Sequence, residues 1–160
     1  LNRMGYTKKF MLLWILSLRL WSVLQNKLRQ RALLRWRPVL MSSLYEQPDT
    51  LPRLSRIDLP HVLELWNHLH DSLSGEARSN LDQMAGQARI PAAVNRMLRK
   101  KNFYARLLAV RTAGNLRLAS ACDLLRELLW SDSPALSLAA ARALTQIDSA
   151  RAVPLPTAAV

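Results

Sequence analysis

Residues 102–147 read NFYARLLAVRTAGNLRLASACDLLRELLWSDSPALSLAAARALTQI, and this stretch writes one helical element twice. Displaced by 31 residues, Ala105, Leu108, Ala109, Thr112, Ala113 and Leu116 fall on Leu136, Ala139, Ala140, Ala143, Leu144 and Ile147. The helix before each copy keeps the same register, with Val94, Met97 and Leu98 on Leu125, Leu128 and Leu129. Steps of three and four residues place each set on one helical face. Self-similarity at such a period belongs to stacked helix pairs, each too small to bury its apolar face alone. The expected fold is all-α: an α-solenoid of antiparallel helix pairs with Leu98, Leu108, Leu129 and Leu144 in one continuous core.

Composition supports this. The chain has 160 residues, half of them hydrophobic, and only four glycines, which argues for one folded unit with a real core. Leu, Ala and Arg dominate over β-branched residues, as helices prefer. A single cysteine excludes an internal disulfide and a Cys-pair metal site, and fits a reducing compartment.

The turn Ser131-Asp132-Ser133-Pro134 with the run Leu138-Ala139-Ala140-Ala141-Arg142-Ala143-Leu144 resembles a HEAT repeat. The resemblance implies that an Asp caps the second helix of each pair and that an Arg early in that helix meets the neighbouring repeat's Asp. Asp132 matches the first and Arg106 the second, so these two are expected to touch. Lys101 and Ser137 stand at the other two positions. The resemblance further implies that second helices line a concave face, where Arg111 and Arg142 are repeat equivalents pointing away from the apolar stripe. With Arg106, they are the candidate partner-binding residues, suited to an acidic group or a phosphate. Upstream, the order of apolar segment, basic stretch and helix pairs is similar to bacterial membrane-anchored HEAT-repeat proteins.

That upstream region carries most of the charge. Of a net +12, residues 1–44 hold nine Lys or Arg and no acid, leaving fourteen basic against eleven acidic residues in 45–160. A nucleic-acid-binding module would spread its charge over the folded part, so nucleic acid is not the expected partner. Phe10–Leu24 reads FMLLWILSLRLWSVL, with Lys8 and Lys9 before it. As a helix it spans about 22 Å, less than the bilayer core, and Arg19 interrupts it. It can span with Arg19 snorkelling, lie in the interface, or pack on the solenoid as a soluble amphipathic helix. Membrane contact is favoured, with Trp14 and Trp21 suited to a headgroup layer. Lys27, Arg29, Arg31, Arg35 and Arg37 follow, a cluster that attracts anionic headgroups and marks the cytoplasmic side.

Pro38 is expected to interrupt or open a helix, and Pro48, Pro52 and Pro60 mark an irregular connection. The organisation is therefore residues 1–44 as a membrane-associated helix, 45–57 as a Pro-rich linker and 58–160 as the HEAT-like repeat domain. Asp58 is placed to cap a helix ending near Ser74, and Gly75 stops it. A second helix follows to about Arg89, and the two are expected to form a divergent capping pair. Pro154 and Pro156 break the pattern at the end. The chain opens on Leu1 and stops soon after a third repeat begins, so a fragment, or a start at Met4, is expected.

His61, Glu64, His68 and Asp71 share a helix face, but such spacing is also that of an ordinary polar face, and no second ligand-bearing helix is apparent. HExxH, GxSxG, phosphate-loop and dinucleotide patterns are absent from the sequence, as are the His-Glu dipeptides of HEAT-like iron hydroxylases. No enzyme activity, metal or cofactor is expected. Cys122 falls on an apolar face and is expected in the core. Arg96, Arg99, Lys100 and Lys101 form a second basic cluster at a turn.

These readings converge on a non-enzymatic scaffold tethered to the bacterial inner membrane. Its repeats would face the cytoplasm and an unidentified protein partner. The competing reading is a soluble HEAT-type nucleic-acid-binding module.

Overall fold

In a computed structural model the protein is described for residues 3–46, 48 and 50–152, with side chains from residue 11 to 149 except 47 and 49. Among these, all regular structure is helical. Helix α1 covers Arg3–Ser42, α2 Leu59–Ser72, α3 Gly75–Gln87, α4 Ile90–Leu98, α5 Phe103–Asn115, α6 Cys122–Leu129 and α7 Pro134–Ala152, with a 3-10 turn at Ala119–Ala121. The helices pack in pairs: α1 on α2, α4 on α5 and α6 on α7, with α3 bridging α2 and α4. The second helices form a row, α5 lying between α2 and α7. The fold is an all-α, solenoid-like stack.

The 31-residue register is written in the burial. Val94 and Leu125 are both fully buried, as are Ala109 and Ala140, while Met97 and Leu128, and Thr112 and Ala143, are nearly or fully so. Leu98 and Leu108 are buried, whereas Leu129 and Leu144 sit half-buried at the margin of the same cluster. Small residues bring α5 and α7 close together. A β-carbon on Gly114 would stand 3.0 Å from both Cα and Cβ of Ala143, and closer still to Gln146 Oε1. Gly114 is therefore a packing requirement. Cys122 is buried in the core.

The amino-terminal helix departs from expectation. It runs through Pro38 without stopping. A proline inside a helix frees the carbonyl four residues earlier, here Leu34. Pro38 and Leu34 are both exposed, so water can satisfy that carbonyl. On the opposite side, Ala32, Trp36, Leu40 and Ser43 are buried, and Trp36 and Leu40 join the repeat core. The first pair is thus α1 with α2, not the expected pair of 58–74 with 76–89, because Trp36 and Leu40 give α2 an apolar partner.

Two local expectations also change. Asp58 occupies the N-cap position of α2 in a helical conformation and makes no side-chain cap. Its carboxylate instead lies 3.7 Å from Arg35 of α1. Gly75, with φ +62°, opens α3 rather than ending α2. The connection at 45–57 is irregular, yet Leu51 and Leu54 pack on the core. Pro154 and Pro156 lie outside the described residues.

Candidate functional site

The row α2–α5–α7 forms a face with a groove of about 690 Å³. One wall is polar and knitted together. Asn67 of α2 donates through Nδ2 to Thr112 Oγ1 at 2.9 Å, and Thr112 donates to the carbonyl of Leu108 at 2.8 Å. Asn115 donates through Nδ2 to Asn67 Oδ1 at 2.9 Å and to Asp71 Oδ1 at 3.2 Å. Buried polar side chains are tolerated only when partnered in this way. At the rim Arg111 donates to Asp71 and Tyr104 to Glu64. The other wall is apolar, with Leu107, Ala135, Leu138 and Ala139.

The candidate arginines have different surroundings. Arg111 and Arg142 both line the groove. Arg111 is held by Asp71, while Arg142 forms no ion pair among the described residues. Composition explains the difference, since α2 presents Asp71 to Arg111 but α5 contains no acid to present to Arg142. Arg106 is half-buried, with Nε inaccessible and unpartnered. The expected contact with Asp132 is absent among the described ion pairs, and Asp132 is exposed to solvent. Nor does the cap fall at Lys101: Asn102, one residue later, accepts from the amide of Ala105 at 3.0 Å. Ser137, which stands where the later repeat would have its Arg, donates to the carbonyl of Leu129 at 2.8 Å and ties the α6–α7 turn.

Of the face carrying His61, Glu64, His68 and Asp71, both carboxylates are engaged across the helix row, and His68 is exposed. No group of three or more potential metal ligands occurs among the described residues. The cluster Arg96, Arg99, Lys100 and Lys101 is exposed around its turn.

A second cavity, of about 340 Å³, adjoins the groove and shares Asp71, Asn115, Arg142 and Gln146 with it. Arg78 of α3 and Arg117, just past α5, also line it, and neither was singled out by sequence. His70 lines it too and faces the half-buried Asp82. His70 is stacked on Trp66 with ring centroids 4.8 Å apart, and its Nε2 is 3.4 Å from Asp82 Oδ1. Burial, with Arg78 adding to it, holds His70 below its usual pKa. Burial raises Asp82 to about 6 despite the opposing charges of Arg78 and Arg117. At neutral pH the two groups are therefore not an ion pair, since His70 is neutral while Asp82 is ionised above about 6.

On α1, Trp14 and Trp21 are 69% and 64% exposed. Arg29 lies 3.8 Å from Glu64 and Arg35 pairs with Asp58, so both also reach across to α2. Lys27, Arg31 and Arg37 are exposed and form no ion pair among the described residues. No described helix is long and apolar enough to cross a membrane.

Fold and face together define a helical-repeat protein with a grooved face along its row of second helices. The family model described as HEAT repeats matches residues 90–157, spanning α4 to α7, and that segment is similar to the family. HEAT repeats generally act as scaffolds for protein interaction. No curated protein and no solved structure matches the chain.

Proposed function

We propose that this chain is a non-enzymatic scaffold resting on the inner face of the bacterial inner membrane, presenting its α2–α5–α7 face to a protein partner in the cytoplasm. One observation carries the reading. Between Met11 and Leu24, eleven large apolar side chains are 49–71% exposed on consecutive helical turns. Water-facing apolar surface of that extent marks an interaction or membrane site.

The run is about 21 Å long and contains Arg19, which suits a helix lying in the interface. Its hydroxyls are already satisfied: Ser17 donates to the carbonyl of Trp14 at 2.8 Å and Ser22 to that of Arg19 at 3.0 Å. That lowers the cost of leaving water. Lys27, Arg31 and Arg37 follow, each worth about 1 kcal/mol near anionic headgroups. Anchoring raises the local concentration of whatever the repeat face holds.

Flotation of the full chain with phosphatidylglycerol vesicles tests this. The protein should float, and a variant with Leu13→Ser, Trp14→Ser, Leu20→Ser and Trp21→Ser should stay at the bottom. Equal behaviour of the two proteins would refute the reading. Salt-sensitive retardation of duplex DNA without flotation would favour the nucleic-acid-binding alternative.

A further inference from the structure

We propose that the cavity lined by Arg78, Arg117 and Arg142 is a binding site for a dianionic tetrahedral oxyanion, namely a phosphate group. The three guanidinium groups come from α3, the turn after α5, and α7, so only the folded stack assembles them. None forms an ion pair among the described residues. The one carboxylate in the lining, Asp71, is already taken by Arg111 and Asn115. Asp82, which faces His70 and lies within the field of Arg78 and Arg117, supplies one negative charge at neutral pH. Three positive charges against one leave two to be matched, which a dianion does and a single carboxylate does not.

Two further observations point the same way. Arg78 Nε is buried and unpartnered, a donor whose lost hydration an oxyanion could restore. Arg117 adopts φ +51°, a left-handed conformation in which a β-carbon is unfavourable and Gly or Asn would be easier. An arginine kept at a strained position beside an arginine-lined cavity is a motive to look for a ligand there. Gln146 also lines the cavity and its amide can donate to a remaining oxygen, while the donors of Asn115 and Ser149 are already engaged with Asn67, Asp71 and the carbonyl of Gln146. The apolar residues of α1 take no part in this lining, so the site stands whether or not α1 meets a membrane.

Calorimetric titration of the full chain at constant ionic strength tests the site, with inorganic phosphate and sn-glycerol 3-phosphate as probes. One saturable event is expected. Tighter binding of the first would assign the site to the free ion, and of the second to an esterified phosphate; either supports it. Arg142→Ala and Arg117→Gly should each weaken binding at least tenfold. Arg117→Gly also relieves the left-handed strain, so it should melt no lower than the parent, and lost binding cannot then be blamed on misfolding. Arg126→Ala, outside the cavity, should bind as the parent does. Absence of saturable heat with both probes, or unchanged affinity in Arg117→Gly and Arg142→Ala, would overturn the assignment.

Discussion

The two ends of α1 have nearly the same chemistry and opposite surroundings. Residues 11–24 and 32–43 both mix Leu, Trp and Ser with Arg. Yet Trp14 and Trp21 are 69% and 64% exposed, while Trp36 is 0% exposed. Helix propensity cannot separate them, because a helix is favoured along the whole length. What differs is a partner: α2 lies beneath the second stretch, and no described element covers the first. Apolar content alone does not tell a core from a docking surface; the opposing face does.

The sharpest way to break this contrast is to remove one tryptophan from each end. Trp36→Ala deletes a fully buried side chain and should cost roughly 3–5 kcal/mol, read as a lowered urea midpoint. Trp21→Ala, at an exposed position, should stay within about 0.5 kcal/mol of the parent. Truncation follows the same line. Removing residues 1–24 should leave the stack folded. Removing 1–44 takes Trp36 and Leu40 out of the core and should not. A cooperative transition in the longer truncation would show that α1 is dispensable.

A smaller effect separates the α1–α2 layer from the tighter α5–α7 contact. Gly114→Val pushes a side chain into Ala143 and Gln146 and should cost about 1–3 kcal/mol by thermal or urea unfolding. A variant as stable as the parent would mean that α7 can slide on α5.

The His70–Asp82 pair gives a pH signature. Asp82 has a folded pKa of about 6 against 3.8 unfolded, so the folded state binds its proton more readily. Its charge therefore costs nothing below 3.8, costs progressively more as pH rises, and costs its full amount above about 6. His70, lowered from 6.5, works the other way, destabilising the fold as pH falls below 6.5. Asp82→Asn should raise the melting temperature at pH 7.5, with the gain fading as pH falls through 6 toward 3.8. A gain that is equal at all pH values would contradict the electrostatic origin. The exposed pair Arg29–Glu64 should matter least: Arg29→Ala should cost under about 1 kcal/mol, less at high salt.

How much of this was legible in the sequence follows from the range of each interaction. The repeated helices were readable because their core positions recur locally, as Val94 and Leu125 or Ala109 and Ala140 do. The α1–α2 layer was not, because Pro38 reads as a break unless one knows that Leu34 faces water. Arg111 and Arg142 look identical in register, and only the partner helices distinguish them, Asp71 on α2 against an acid-free α5. Arg78 and Arg117 are 39 residues apart and meet only through the stack. Gly114 and the left-handed Arg117 did carry local signals, a glycine inside an apolar helix and its end three residues on. Their purpose depends on α7.

The central claim, that Met11–Leu24 lies in a membrane interface while Ala32, Trp36 and Leu40 of the same helix belong to the protein core, is tested most directly by brominated-lipid quenching of tryptophan fluorescence on phosphatidylglycerol vesicles. With bromines placed at successive acyl depths, the full chain should be quenched most strongly at shallow positions. With Trp130, 89% exposed just past α6, replaced by Phe in both proteins, a Trp14→Phe/Trp21→Phe variant should lose that quenching, since Trp36 and Trp66 are buried. No quenching of the full chain, equal quenching in the double variant, or a maximum at the bilayer centre would contradict the account.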